Sequence, residues 1–228
     1  MPARPHLAVK LAQKATLQDI LDKLGKSYRA SSPTRGMQLE VPLGDTTALL
    51  EMHTTKTLPS ELQTWIWDLF ECNMRSLYES TSEGYDASAK RKELFHPDSR
   101  FVVLRSASAP SPDVPKAASS TPLGYSIFRF DTEETASDDD ELCDVVYCYE
   151  LQVAASAQGR GVGRILMEVL GRVGSDCKMD KVMLTVFKAN ASAIAFYEKI
   201  GFSLDEIDPS EYEGGDSADY TILSKPCT

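Results

Sequence analysis

Three glycines at alternate positions, Gly159, Gly161 and Gly163, have the spacing that points most directly to chemistry, and that chemistry is the holding of an anion. Before them runs an apolar, β-branched and aromatic segment, Val145 to Val153. After them Ile165-Leu-Met-Glu-Val-Leu170 carries apolar residues at helical spacing. A strand therefore enters a glycine-rich turn that opens a helix. Such a turn aims several backbone N–H groups at one point beside the positive end of a helix dipole. Glycine lets a phosphate approach the backbone there. A P-loop is excluded, because the last glycine is followed by Arg164 and Ile165 rather than Lys and Ser or Thr. The dinucleotide fingerprint is excluded too, because it needs glycine at 164. What remains is Gln-x-x-Gly-x-Gly at 158, 161 and 163, or a strand–helix turn that binds nothing.

Downstream, Lys181-Val-Met-Leu-Thr-Val-Phe187 reads as a buried strand. Asn190 then suits a helix N-cap, Ala193, Phe196 and Tyr197 share a face, and Gly201 ends the helix. Gln158-x-x-Gly161-x-Gly163 followed by Asn190-x-x-Ala193-x-x-Phe196-Tyr197-x-x-x-Gly201-Phe202 resembles the two halves of the signature of the GCN5-related N-acetyltransferases. The resemblance implies an α/β (α+β) fold, with a mixed, mostly antiparallel sheet flanked by helices. Two central strands splay apart in that fold, and acetyl-CoA sits in the gap. It implies cofactor contacts from Leu151, Gln152, Val153, Gln158, Gly159, Arg160, Gly161, Val162, Gly163, Arg164 and Asn190. Tyr197 falls at the usual general-acid position.

Four further segments narrow the likeness: Cys72-Asn-Met-Arg-Ser-Leu-Tyr-Glu79, Phe128-Arg-Phe-Asp131, Tyr147-Cys-Tyr-Glu150 and Val182-Met-Leu-Thr-Val-Phe-Lys188. They look like the N-alpha-acetyltransferase D group, whose members acetylate the N-terminus of core histones beginning Ser-Gly-Arg-Gly. The likeness runs from about Trp65 to Ser224 and fades before residue 58. It implies histone tails as substrate, action in the nucleus and cytoplasm as a monomer without an auxiliary subunit, and direct transfer in a ternary complex. It also implies substrate contacts from Tyr78, Asp131, Glu133, Tyr147, Tyr149 and Tyr220. Where that group often carries Trp after its first helix, this chain has Glu83 and Tyr85.

Acetyl transfer to an amine needs a deprotonated amine, a held thioester and a proton for the leaving thiolate. Glu150, just before the cofactor edge, is the expected general base, directly or through a water. The plainer reading is a glutamate that orders the cleft. Tyr149 alternates with it across the sheet, so both reach one cleft only if the strand twists. No covalent intermediate is required, and no cysteine is assigned as nucleophile. A lysine or small-amine acetyltransferase on the same fold, and a non-catalytic acidic histone-binding module, are the alternatives.

Composition bounds these readings. A chain of 228 residues suits one domain with a sizeable core. The net charge of −10 argues against direct contact with nucleic acid and suits a basic partner. The acid is concentrated: Asp131 to Asp144 holds eight acidic residues and Asp205 to Asp219 seven, with no basic residue in either. Five scattered cysteines without a CxxC pair and only three histidines argue against a disulfide framework or a metal. No apolar run has membrane-spanning length, and the opening residues are not expected to act as a signal peptide.

The positioning elements read as follows. Residues 1 to 5 are expected to be disordered, Leu7 to Leu24 one helix stopped by Gly25, and Gly36 to Leu43 a strand. Residues 1–57 thus form an N-terminal extension packing on an acetyltransferase domain at 58–228. Within that domain Pro59-Ser60 starts a helix through Tyr78, and a short helix ends near His96-Pro97. Arg100 to Arg105 is a strand, 107–120 a disordered loop insert, and Leu123 to Phe130 the partner strand with an acidic loop after it. Val145 to Val153 continues the meander, and Phe202–Ile207 and Ala218–Ser224 close the sheet.

Overall fold

The computed structural model describes residues 6–27, 38–82, 84–107, 120–137, 142–212 and 217–227. Eight strands form one sheet: β1 (Gln38–Leu43), β2 (Thr46–Thr54), β3 (Arg100–Ser106), β4 (Pro122–Glu134), β5 (Leu142–Val153), β6 (Lys181–Phe187), β7 (Ser203–Leu204) and β8 (Tyr220–Pro226). Their order is β1-β2-β3-β4-β5-β6-β8-β7, and every neighbouring pair is antiparallel except β5 with β6. That exception follows from connectivity, because β5 reaches β6 through helix α5 (Val162–Cys177), a crossover that returns the chain in the same direction.

Helices cover both faces. On one lie α1 (Leu7–Lys14), α2 (Leu17–Ser27), α5 and α6 (Ala191–Lys199), which share a core with Val102, Phe128, Val146, Cys148 and Leu184. On the other lie α3 (Ser60–Glu79) and α4 (Ala87–Leu94), which cover Phe101, Val103, Tyr125 and Ile127. Leu62, Ile66 and Phe70 recur every four residues along α3 and are buried as one stripe. Each such side chain contributes about 1.5–3 kcal/mol.

Several boundaries differ from the sequence reading. The helix expected over Leu7–Leu24 is two helices, parted at Ala15-Thr16. Thr16 Oγ1 accepts from the Asp19 N–H, while Asp19 Oδ2 accepts from both Thr16 N–H and Thr16 Oγ1. This reciprocal box starts a new helix, and Gly25 lies inside α2 rather than ending it. Both helices lie against α5, and β1 and β2 are strands of the same sheet as the rest. Strand β2 was not foreseen; it follows a two-residue turn at Gly44-Asp45, with Gly44 at φ 57°.

Strand β4 continues to Glu134, so Asp131 and Glu133 belong to a strand and not to a loop after it. The strand expected over Phe202–Ile207 is only Ser203–Leu204. Asp208 then turns the chain by accepting from Ser210, Thr221 and Ile222. Residues 1–5, Glu83 and all but the ends of the 107–120 insert fall outside the described residues.

Candidate active site

The cleft begins where the only parallel ladder among the described strands stops. β5 and β6 pair from Val145↔Lys181 to Cys148↔Leu184, yet β5 continues to Val153 and β6 to Phe187. The two strands diverge over those last residues and open a cleft of about 1490 Å³. At its far end β5 passes through a single 3-10 turn (Ala155–Ala157) into Gln158–Gly161 and then α5. Gly159 and Gly161 stand at φ 72° and 88°, where side chains are strained. Gly163 serves packing instead: a Cβ there would lie 3.1 Å from Phe196 Cζ, so its absence lets α5 approach α6.

The first N–H groups of α5, at Val162, Gly163 and Arg164, have no intrahelical acceptor, which together with the dipole suits an anion. Gln158 Nε2 ties the turn back to the Val153 carbonyl at 3.4 Å. Asn190 caps α6 through the Ala193 N–H and faces the same cleft. Leu151, Gln152, Val153, Gln158, Gly159, Gly161, Val162, Gly163, Arg164 and Asn190 all line it, but Arg160 does not. The Gln152 side chain is already committed to Glu150 and Asn73, and its backbone pairs with Tyr125 of β4.

A β-bulge decides what else faces the cleft. Ile127 pairs with Glu150 but Phe128 pairs with Cys148, so Tyr149 is an extra residue in β5. Simple alternation sends Tyr149 and Glu150 to opposite faces. The bulge brings both onto the α3–α4 side, where they line the cleft together. The expected strand twist is thus replaced by an inserted residue. Tyr149 packs on Tyr147, ring centres 4.9 Å apart, and carries the Arg129 guanidinium 3.9 Å above its ring. Arg129 also donates to Ser99 Oγ and the Glu93 carbonyl, which anchors the end of α4 to this bulge.

Glu150 is 7% exposed. Gln152 Nε2 donates to its Oε1 at 2.7 Å, and Asn73 Nδ2 on α3 donates to Gln152 Oε1 at 2.8 Å. Lys90 Nζ lies 3.4 Å from Glu150 Oε2 and 2.8 Å from Glu93 Oε1. Burial raises the Glu150 carboxyl above its ordinary value, although Lys90 and Gln152 pull it down. Burial lowers the Lys90 ammonium, but Glu150, Tyr78 and Glu93 outweigh that and raise it. Sequence reasoning missed Asn73, Lys90 and Glu93. The available signal was Lys90 standing four residues before the buried Leu94, on the inward side of a short helix.

Tyr197 is 8% exposed, packed on Phe196 and Phe202, and borders the cleft. Burial, with Cys148 and Glu150 nearby, pushes its phenol well above the ordinary value, so it holds its proton at neutral pH. Its place is fixed by the end of α6, where the Phe202 N–H bonds the Tyr197 carbonyl and the Gly201 N–H that of Glu198. Cys148 is buried and its thiol is raised by that burial, which leaves it protonated and inert.

Tyr78, Tyr147, Tyr220 and Glu133 line the other half of the cleft, while Asp131 lies beyond its lining. Tyr78 stands edge-on to Phe187 at 4.7 Å, and the Tyr147 hydroxyl meets Thr185 Oγ1 at 2.5 Å. Burial pushes the Tyr147 phenol up to about 12. Asp131 and Glu133, two apart in β4, share the face that carries Arg129. Burial raises the Glu133 carboxyl, and Asp131 and Glu134 raise it further. Asp219 Oδ2 accepts from the Ser82 N–H and hydroxyl, joining the segment after α3 to the start of β8 at the cleft rim. Among the described residues no group of three His, Cys, Asp or Glu could hold a metal ion, and no helix is long and apolar enough to cross a membrane.

A mixed sheet parted between two parallel neighbours, beside a glycine-rich helix start, defines the N-acetyltransferase fold. The chain belongs to the acetyltransferase (GNAT) family, whose model matches residues 61–202. It is similar to a mycothiol acetyltransferase of Tsukamurella paurometabola, 45% identical over 58 residues, which are 25% of this chain and 20% of that protein. It is also similar to a streptothricin acetyltransferase of Streptomyces lavendulae, 32% identical over 82 residues, 34% of this chain and 42% of the other. The chain thus spans less than half the length of either relative. Among solved structures it is similar to Arabidopsis thaliana NAA60 in complex with a bisubstrate analogue, with TM-score 0.55, 14% identity, and 78% and 99% of the two chains covered. It is likewise similar to the NatC complex bound to Gag peptide and CoA, with TM-score 0.51, 18% identity, and 79% and 99% covered. At such identities the fold is what is shared.

Proposed function

We propose that the chain is an acetyl-CoA-dependent N-terminal acetyltransferase acting on basic tails, with histone ends of the Ser-Gly-Arg-Gly type as substrate, as in the D group. The observation that carries this reading is the bulge that sets Tyr149 and Glu150 side by side where β5 and β6 part. The glycine turn fits a pyrophosphate, since Gly161 is held at a φ that favours glycine and the N–H groups beside it lack carbonyl partners. Acetyl-CoA would supply the activated acyl thioester. Glu150 takes a proton from the incoming ammonium, directly or through a water. A buried carboxyl raised above its usual range is better matched to that task than an exposed one. Tyr197, protonated and buried, is placed to return a proton to the leaving thiolate.

Asp131 and Glu133 favour a cation on the substrate. Glu133 is half-buried beside Asp131 and Glu134, so a guanidinium would relieve both its burial and their repulsion. Histone substrates would place the chain in the nucleus and cytoplasm. A second reading, acetylation of a small amine, is favoured by the two sequence relatives, both named for small-molecule substrates. Mass spectrometry separates them: Ser-Gly-Arg-Gly peptides with free and blocked α-amines, with and without lysine, are incubated with acetyl-CoA. Label on the free α-amine alone is expected. Label on lysine, or only on small amines, would overturn the N-terminal reading.

A further inference from the structure

We propose that Lys90 is a positioning residue for the base: its ammonium holds the Glu150 carboxylate ionised and aimed into the cleft. The inference rests on reading Glu150 as the base. It begins from an anomaly of composition. Helix α4 buries Lys90 to 7% exposure between α3 and β5, where an apolar residue would pack without desolvating a charge. The ammonium lies 3.4 Å from Glu150 Oε2, 2.8 Å from Glu93 Oε1, and 5.1 and 5.4 Å from the ring centres of Tyr78 and Phe70. Two carboxylates and two aromatic faces therefore hold one cation in place.

The rest of the surroundings leave it that task. Gln152 occupies Glu150 Oε1 and is itself held by Asn73. The other ionisable groups facing Glu150 are Tyr78 on α3, Glu93 on α4, Tyr125 on β4, Cys148 on β5 and Tyr197 on α6. The phenols and the thiol are pushed up by burial and stay neutral at physiological pH, and Glu93 is an anion. Lys90 is thus the only cation among the described groups that favours ionised Glu150 at close range. The anchoring of α4 by Arg129 fixes the distance, because the Glu93 carbonyl one turn from Lys90 accepts from that guanidinium.

The test is the acid limb of the pH–rate profile, read alongside the carboxyl titration of Glu150 by carbon NMR without cofactor. In Lys90→Met both should move up by about one to three pH units, as expected when a nearby opposite charge is lost. On the acid side of both limbs the rate then falls about tenfold per unit of displacement and returns as the pH is raised. Lys90→Arg keeps the charge and should leave the limb in place. Glu93→Gln, at a half-exposed site, removes a repelling anion and should move the limb down, which keeps the idea testable if Lys90→Met does not fold. An unmoved titration in folded Lys90→Met, a limb that does not fall in Glu93→Gln, or equal shifts in the Met and Arg variants would overturn it. Absence of acyl transfer by the wild-type chain would defeat the acetyltransferase reading instead. The titration needs no turnover and still decides whether Lys90 governs Glu150.

Discussion

Gln152 donates a 2.7 Å hydrogen bond to Glu150 from two residues further along the same face of β5. One carboxylate oxygen is thereby committed to Gln152, and the other, 3.4 Å from the Lys90 ammonium, is the one left to exchange protons. The shape of the site should survive conversion of the acid to an amide, since an amide oxygen can still accept from Gln152.

Glu150→Gln should therefore fold and bind acetyl-CoA as before, while kcat falls about a hundred- to ten-thousand-fold, the usual contribution of a general base. Because burial raises this carboxyl, the wild-type acid limb should lie above the ordinary glutamate value of 4.5 and vanish from the residual activity of the variant. A variant with nearly unchanged kcat at neutral pH would make Glu150 structural and mean that the amine arrives deprotonated.

Gly161→Asp places a carboxylate where the N–H groups converge and forces an L-residue to φ 88°. Acetyl-CoA affinity should drop well over tenfold, more than about 1.4 kcal/mol. Gly171→Ala is the control. It sits on α5 away from the cleft, with nothing within 4 Å of an added Cβ, and should leave affinity unchanged while stabilising the helix by about 0.5–1 kcal/mol. Calorimetry reads the first effect and thermal melting the second; equal affinities in both variants would displace the anion site from this turn.

The acid pair on β4 should set preference for arginine at the third substrate position. A charged hydrogen bond is worth roughly 1.5–3 kcal/mol, enough for a tenfold or greater preference over alanine. Asp131→Asn/Glu133→Gln should erase that preference in kcat/KM for Ser-Gly-Arg-Gly against Ser-Gly-Ala-Gly. A desolvated clasp resists added salt better than diffuse attraction, so the wild-type preference should persist at high ionic strength. If the double variant discriminates as well as wild type, selectivity resides elsewhere, such as the acidic 205–219 segment.

Asp208, 1% exposed, accepts from Ser210 N–H and hydroxyl, Thr221 hydroxyl and Ile222 N–H. Burial pushes its carboxyl up, but these donors outweigh burial and hold it below 3.8. Its stabilising effect is therefore complete above about pH 4, the unfolded carboxyl value, and is lost as pH falls through the depressed folded value. Asp208→Ala should cost about 3 kcal/mol at neutral pH by stranding buried donors. Urea unfolding should show the gap between variant and wild type narrowing below pH 4; a gap constant with pH would mean the charge contributes nothing.

The glycine turn, the Asn190 cap and the strand before them were legible because each uses a local signal, either a spacing or a cap. The split at Thr16 was missed: Thr16-x-x-Asp19 marks it, but the apolar period running through it masked the break. The bulge at Tyr149 was not. It is set by the register between β4 and β5, a relation between segments that no single run of residues carries. Lys90 was hidden for the same reason, since a lysine in a short polar helix reads as solvent-facing until its carboxylate partner arrives from a distant strand.

The four-residue ladder between β5 and β6 has a mechanical consequence. It divides the sheet into two cooperative blocks, the consecutive meander β1 to β5 and the trio β6, β8 and β7. Among the described residues their backbones are joined by Val145–Cys148 against Lys181–Leu184, with the Asp180 N–H on the Asp144 carbonyl at its end. Sub-global opening should follow that seam, and amides of β6 to β8 should exchange with solvent sooner than those of β3 and β4. A molecule lodged between the diverging strands would touch both blocks at once. It would act as a clamp whose contribution to stability grows with its concentration, so occupancy of the cleft and integrity of the sheet are one equilibrium.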